Sequence, residues 1–299
     1  MMRCDFGEVI TALVTPMDEN RNIDYEALEK LAAHLADNGS DSILVCGTTG
    51  ESPTLSFSEE LEILSSVKRA VNGKAKVIFG AGSNCTETAI RSTKNACKEG
   101  VDGILSVVPY YNKPSQAGMY EHFSAIAKAS DAPIILYNIP SRTGVNMLPE
   151  TVAKLANDFS NIVALKQSSP DMDAISELKL LCPKDFVIYS GDDSLTLPMV
   201  SIGVDGVISV ASHLFGKEIK SMIRNFKTGD IVAAKNMHIK LYPIFKKLFF
   251  APNPVPVKAI LANNKLIEEF VRRPLVELTD SEKEDLLTVY NSISLEGIC

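Results

Sequence analysis

Short apolar runs bounded by turn residues recur along the chain, and amphipathic stretches of helical period separate most of them. The runs are EVITALV (8–14), SILVCG (42–47), KVIFGAG (76–82), DGILSVV (102–108), PIILYN (133–138), IVALK (162–166), FVIYSG (186–191) and DGVISV (205–210). Between the first two, DYEALEKLAAHLADNG puts Leu28, Leu31, Ala32 and Leu35 on one helical face and stops at a glycine. SFSEELEILSSVKRAVNG offers Ser56 or Ser58 as an N-cap and Asn72-Gly73 as its end. SLTLPMVSIG, between the seventh and eighth runs, has room for a short helix only.

Eight strands rich in Val, Ile and Leu, in series with helices, predict an α/β fold with a parallel sheet covered by helices. Eight is the number that closes a (β/α)8 TIM barrel, and a doubly wound open sheet is the competing arrangement. The strand pattern stops after residue 215. GKEIKSMIRNF, DIVAAKNMHIKLYPIFKKLF, VPVKAILANNKLIEEF and DSEKEDLLTVYNSI then read as helices, more than one closing barrel helix requires. The expected organisation is a catalytic barrel over 1–229 and a C-terminal helical extension over 230–299. APNPVPVK (251–258) reads as a proline-stiffened connector between helices.

Polar residues gather at one end of each strand. Strands are entered through plain turns such as NGSD and EGVDG, but they end in GTTGES (47–52), GAGSN (80–84), PYYNKPS (109–115), YNIPSRTG (137–144), KQSS (166–169) and SGDDS (190–194). Barrel enzymes assemble their sites from those C-terminal strand ends. Alternation along 162–166 places Ile162, Ala164 and Lys166 on one face, with the bulkier Val163 and Leu165 on the helix-facing side. A free lysine has a pKa near ~10.4, and a lysine desolvated in a barrel mouth loses its proton more readily and can attack a carbonyl. An ion pair or a solvated strand end is the competing reading of Lys166. Tyr137 shares its face with Ile135 at the end of the fifth run and could shuttle a proton beside such an amine, or simply cap the strand.

Three other clusters add candidate chemistry. GTTGES supplies hydroxyls and closely spaced N–H groups suited to an anion, with Gly47 and Gly50 allowing close approach. The triphosphate pattern GxxxxGK[ST] is absent, so a carboxylate fits better than a nucleotide. Arg142 in PSRTG has the planar fork that grips a carboxylate at two points. The acidic pair in SGDD attracts a cation, or Asp193-Ser194 caps the next helix. The four histidines (His34, His122, His213, His238) are scattered, which speaks against a zinc hydrolase, and no metal is expected.

Composition narrows the classes further. With 299 residues, 45% of them hydrophobic, the chain can bury a large core. A net charge of −7 with no Lys/Arg block argues against nucleic-acid and anionic-membrane partners. No apolar run reaches the roughly 18 residues of a membrane span. Six cysteines (Cys4, Cys46, Cys85, Cys97, Cys182, Cys299) without CxxC pairs, and no basic-then-apolar leader, lead us to expect a reduced, cytoplasmic setting.

Taken in order, ALVTPMDENRNID, GTTGES, PYYNKPSQAGMYEHF, ILYNIPSRTGVNMLPETV, GVISV and PNPVPVK resemble the dihydrodipicolinate synthase/N-acetylneuraminate lyase family of pyruvate-dependent class I aldolases, almost end to end. The resemblance implies a lyase of lysine and diaminopimelate biosynthesis. Pyruvate would form an imine on Lys166, and the derived enamine would attack L-aspartate 4-semialdehyde to give 4-hydroxy-tetrahydrodipicolinate, without a further cofactor. By the same resemblance Tyr137 would give and take protons, with Thr48 and Tyr111 completing a relay. Tyr111 would come from a neighbouring subunit of a homotetramer built as a dimer of dimers. Thr49 and the backbone at Ile208 would bind pyruvate, Gly191 and Asp192 would lie near it, and Arg142 would hold the semialdehyde's carboxylate. N-acetylneuraminate and keto-deoxy-sugar lyases share the lysine and tyrosine but typically lack the arginine of SRTG.

The chain also departs from the family pattern. Gln167 stands where an acidic residue commonly follows the lysine, and alternation turns it away from the substrate. Of the positions that bind inhibitory L-lysine in regulated members, Ser52, Asn84 and Tyr110 match. Two histidine positions hold Phe57 and Glu60, and a glutamate position holds Thr88. Weak or absent lysine inhibition is therefore expected.

Overall fold

The β-branched and aliphatic runs form eight short strands in a computed structural model that describes residues 6–293. They are β1 (Val9–Ala12), β2 (Ser42–Val45), β3 (Lys76–Gly80), β4 (Gly103–Val107), β5 (Ile134–Asn138), β6 (Ile162–Gln167), β7 (Val187–Ser190) and β8 (Gly206–Ser209). Their order is β1 through β8 in a closed barrel, so the TIM-barrel expectation holds and the open sheet does not. All the strand residues of β1, β2, β5, β7 and β8 are buried, which explains their continuous apolar character in place of strict alternation.

The helices are α1 (Tyr25–Asp37), α2 (Phe57–Val71), α3 (Thr86–Lys98), α4 (Gln116–Lys128), α5 (Pro140–Thr143), α6 (Pro149–Asp158), α7 (Met172–Leu181), α8 (Thr196–Ser201), α9 (Ser212–Thr228), α10 (Ile231–Lys247), α11 (Val255–Asn263) and α12 (Asp280–Asn291). α1 buries the four residues its periodicity selects, Leu28, Leu31, Ala32 and Leu35. Of the two candidate caps for α2, Ser56 is used, in a reciprocal capping box with Glu59. Asn72 ends that helix in the left-handed conformation (φ 46°), and Gly73 follows at φ 77°.

The chain divides into two compact units, one of residues up to Gly7 with Val77–Ile208, the other of Glu8–Lys76 with the residues from Ser209 onward. In the first, β5 and β6 pair in parallel with a register shift at Ile134/Ile135 that leaves Val163 as the extra residue. Beyond it the register is regular: Leu136 lies opposite Leu165, Tyr137 opposite Lys166 and Asn138 opposite Gln167. In the second, β1 and β2 pair, and α9 to α12 supply the C-terminal helices.

One expected helix is shorter than its pattern. VPVKAILANNKLIEEF predicts a helix to residue 270, but α11 ends at Asn263 and Lys265 takes a left-handed conformation (φ 58°). The chain turns back there because Lys258 Nζ captures the Phe270 carbonyl at 2.7 Å and Glu51 captures the Arg272 N–H at 2.9 Å. These long-range bonds outweigh helix propensities of a few tenths of a kcal/mol per residue. Among the described residues no helix is long and apolar enough to cross a membrane. Cys46, Cys85, Cys97 and Cys182 are free thiols, and Cys4 and Cys299 lie outside the described residues.

Candidate active site

Lys166 is the fifth residue of β6 and is 7% exposed, so it is neither a solvated strand end nor, among the described residues, half of an ion pair. Its ammonium lies over the ring of Tyr137, 4.5 Å from the centroid, because the register sets the two residues side by side. On its other flank the register places Tyr189 of β7, whose hydroxyl donates to the Gly7 carbonyl at 3.0 Å and is thereby fixed. A buried amine whose neighbours are an aromatic face and a phenol is suited to nucleophilic chemistry more than to structural pairing.

Gly191 shows why a glycine follows β7. A Cβ there would lie 1.9 Å from Ser168 Oγ and 3.0 Å from Lys166 Cε, so both side chains pack against the bare Cα. Ser168 Oγ is itself buried without a hydrogen-bond partner among the described residues. Asp192 is engaged locally, since its Oδ1 accepts from the N–H (2.9 Å) and Oγ (2.8 Å) of Ser194 and so caps the 3₁₀ turn Asp193–Leu195 ahead of α8. Of the two readings of SGDD, the capping one describes this carboxylate, and it is Asp192 that caps. No group of three or more His, Cys, Asp or Glu among the described residues could hold a metal ion. Ile208 is buried in β8.

Arg142 sits on α5, exposed, with its guanidinium unpaired among the described residues. The loop beneath it is held by a residue that sequence reasoning does not single out. Asn138, fully buried at the end of β5, donates to Asn146 Oδ1 (2.7 Å) and Gln167 Oε1 (3.0 Å), and its Oδ1 accepts the Met147 N–H (3.1 Å). Gln167 therefore ties the lysine-bearing strand to the arginine-bearing loop from behind. The Thr143 carbonyl in turn accepts the Tyr111 N–H at 3.4 Å. Tyr111 is 89% exposed and held at φ 73°, a conformation costing a bulky residue about 1–3 kcal/mol.

Thr48 and Thr49 belong to the second unit, in the turn after β2. The Gly50, Glu51 and Ser52 N–H groups are used within the turn, donating to the Gly47 or Thr48 carbonyls at 3.0–3.3 Å. The Thr48 and Thr49 N–H groups have no partner among the described residues, which leaves two adjacent donors of the kind that receive an anion. At Gly50 the chain itself already makes one close approach. A Cβ there would lie 3.1 Å from the Leu13 carbonyl, so the turn packs on its own chain. Thr15 Oγ1 adds a 2.7 Å bond to the Gly50 carbonyl.

The far end of this turn rests on the C-terminal helices. Glu51, at φ 59°, accepts Lys258 Nζ at 2.6 Å, and both side chains are buried. Burial lowers the pKa of Lys258 while the Glu51 charge opposes that shift. Asn253 Nδ2 donates to Thr49 Oγ1 at 2.9 Å. The APNPVPVK stretch is therefore a connector only as far as Pro254, since Val255–Lys258 open α11, and its asparagine and lysine brace both ends of the threonine turn. A lysine and an asparagine framed by prolines and apolar residues are the signal the sequence offers for this.

A closed eight-stranded barrel that sets a buried lysine beside a tyrosine on adjacent strands defines a (β/α)8 barrel with a candidate amine nucleophile. Comparison with known proteins identifies the family. The family model described as "Dihydrodipicolinate synthetase family" matches residues 5–292. A 4-hydroxy-tetrahydrodipicolinate synthase of Desulforamulus reducens is 50% identical over 295 residues, 99% of this chain and 100% of the relative. One of Prochlorococcus marinus is 51% identical over 97% of this chain and 96% of its own. Among solved structures, a DHDPS from Cyanidioschyzon merolae with lysine bound superposes with a TM-score of 0.94 at 50% identity, covering 96% of this chain and 97% of that one. A dihydrodipicolinate synthase from Bacillus anthracis gives 0.94 at 44% identity, covering 97% and 99%. The chain belongs to the dihydrodipicolinate synthetase family and is an enzyme of that type.

Proposed function

We propose that the protein condenses pyruvate with L-aspartate 4-semialdehyde through an imine on Lys166, giving 4-hydroxy-tetrahydrodipicolinate for lysine and diaminopimelate synthesis in the cytoplasm. The observation that carries this reading is the buried Lys166 ammonium, 4.5 Å over the Tyr137 ring and without an ion-pair partner among the described residues. In the neutral state Nζ adds to C2 of pyruvate, and the carbinolamine loses water to become the imine. Loss of a methyl proton gives the enamine, whose carbon bonds to the semialdehyde's aldehyde carbon. The semialdehyde's amino group then displaces Lys166 from C2, closing the ring and freeing the enzyme. One water leaves overall, no oxidant is needed, and the cycle calls for no cofactor.

Tyr137 is positioned beside the amine to move these protons. Thr48 and Tyr111 extend the relay in this reading, and the exposed, strained Tyr111 is directed to a neighbouring subunit of a homotetramer. Thr49 and the Ile208 backbone hold pyruvate, with Gly191 and Asp192 beside it. The unpaired Arg142 takes the semialdehyde's carboxylate. It also favours this substrate over N-acetylneuraminate and keto-deoxy sugars, which carry different groups at that distance from the reacting carbon.

A lysine-sensitive enzyme would need a carboxylate for the effector's ammonium, and Thr88 supplies none. We infer weak or absent lysine inhibition. Purified protein given pyruvate and either aspartate semialdehyde or N-acetylneuraminate tests the function. Turnover of the first pair alone supports it, and pyruvate release from the sugar acid alone contradicts it. Near-complete inhibition by sub-millimolar L-lysine contradicts the regulatory part.

A further inference from the structure

Arg142 stands on a piece of chain that cannot hold its own shape. α5 is a single turn of four residues, and a helix that short has no stability in isolation. Its own bonds are local: the Arg142 and Thr143 N–H groups donate to the Ile139 carbonyl and that of Gly144 to the Pro140 carbonyl, each at 3.0 Å. The guanidinium has no partner among the described residues, so the arginine side chain does not anchor the turn.

The anchor is Asn138, whose side chain is wholly buried. Its Nδ2 donates to Asn146 Oδ1 at 2.7 Å and to Gln167 Oε1 at 3.0 Å, and its Oδ1 accepts the Met147 N–H at 3.1 Å. The bond to Asn146 spans eight residues of chain and closes the loop that contains α5. A second amide fixes the loop's exit, where Gln116 of α4 donates to the Asn146 carbonyl at 2.8 Å and accepts the Leu148 N–H at 3.1 Å. Gln116 and Asn146 are exposed, so water can replace a bond lost there, but nothing replaces one lost at the buried Asn138. Asn138 also refers the loop to β6, through Gln167 and through its own carbonyl, which accepts the Ser168 N–H at 2.9 Å. The register sets Asn138 opposite Gln167 and Tyr137 opposite Lys166, so alternation puts the two amides on the face away from the lysine and tyrosine.

We propose that Asn138 is a positioning residue that clamps the α5 turn to the lysine-bearing strand and thereby fixes where Arg142 presents its guanidinium to the carboxylate of the second substrate. The inference rests on the reading that Arg142 receives that carboxylate. Asn138 acts from the helix side of the barrel, through the loop backbone, and leaves the face that bears Lys166 unaltered. Without the clamp the turn shifts, and a two-point contact between a guanidinium and a carboxylate is sensitive to such a shift. Asn138→Ala is therefore expected to raise the KM for aspartate semialdehyde about ten-fold or more. The pyruvate KM and the rate of borohydride trapping with pyruvate, which do not use the arginine, should change less than about three-fold.

The test is steady-state kinetics in both substrates and borohydride trapping on the full-length protein, with Asn138→Ala, Arg142→Ala and the double variant N138A/R142A, each checked by thermal melting. In the Arg142→Ala background, Asn138→Ala should move the semialdehyde KM little, since the group it places is gone. A rise of the same size with and without Arg142 overturns the proposal. So does an equal effect on the pyruvate KM or on trapping, because the amide would then serve the strands and not the arginine. If Asn138→Ala fails to fold, Asn146→Ala decides, because it removes one bond of the clamp from an exposed position. It should raise the semialdehyde KM in the same selective way, and a KM equal to that of the unaltered enzyme overturns the proposal. Failure of the underlying reading looks different: Arg142→Ala alone would then leave the semialdehyde KM unchanged, and the proposal would fall with it.

Discussion

Replacing Gly191 by alanine perturbs the site at one defined point. The new Cβ would sit 1.9 Å from Ser168 Oγ, 3.1 Å from Ser168 Cβ and 3.0 Å from Lys166 Cε. Carbon atoms pack comfortably at roughly 3.5–4.0 Å, so Lys166 Cε must retreat by about half an ångström or more and Ser168 must leave its rotamer. Gly191 is not among the residues with a positive φ, so the backbone accepts alanine and the effect is one of contact alone. Overpacking of this kind costs about 1–3 kcal/mol of stability. Displacing the amine by a fraction of an ångström to 1 Å costs up to about 10²-fold in rate. The assay is the rate at which borohydride in excess pyruvate fixes an adduct, read by intact mass, beside a thermal melt. G191A should melt lower and be trapped far more slowly. Ser168→Ala in the same chain removes the 1.9 Å contact but leaves the 3.0 Å one, so it should restore the melt more than the trapping rate. Wild-type trapping and melting in G191A would refute the packing of Lys166 against Gly191.

Three further outcomes follow from buried and half-buried ionisable groups. Lys258→Met strands the buried Glu51 carboxylate with the Arg272 N–H, so it should cost about 3–5 kcal/mol in denaturant unfolding, and Glu51→Gln in the same chain should recover part of that; a loss below about 1 kcal/mol contradicts the pairing. His213 is buried, accepts the Val14 N–H at Nε2 (3.2 Å), donates from Nδ1 to the Val210 carbonyl (2.8 Å), and has its pKa pushed down by burial to about 4 from 6.5. The unfolded chain then binds the extra proton between those values, so stability present above pH 6.5 is lost as pH falls through about 4, by up to about 3 kcal/mol. His213→Gln should narrow its stability gap to wild type over that window, and a gap independent of pH rules the effect out. Glu60 has the opposite sign: burial raises its pKa to about 7 from 4.5, so stability declines as pH rises between them. Glu60→Gln should raise the melting temperature at pH 8 more than at pH 4.5; equal shifts at both would contradict that.

The barrel is legible in the sequence because each strand is short, apolar and ended by turn residues, and because α1 and α2 carry strong period and caps. Alternation and strand order place Lys166 and Tyr137 together, although the bulge that adds Val163 leaves no mark in the sequence. Periodicity overextends α11 because its end is set by bonds from Lys258 to Phe270 and from Arg272 to Glu51, pairs 12 and 221 residues apart that no period marks. Asn138 and Asn253 escape notice for a related reason. A buried asparagine has no periodicity, and its importance comes from partners such as Gln167 and Thr49, 29 and 204 residues away. The close approach of Gly50 to the Leu13 carbonyl is likewise a contact that only the folded turn creates.

Whether Lys166 is the nucleophile is answered by one measurement. The protein is incubated with pyruvate, reduced with borohydride, weighed intact and then mapped by peptide fragmentation. A single reduced pyruvyl adduct on Lys166, abolished in Lys166→Ala, is expected. An unmodified mass from folded protein, or an adduct on any other lysine, contradicts it.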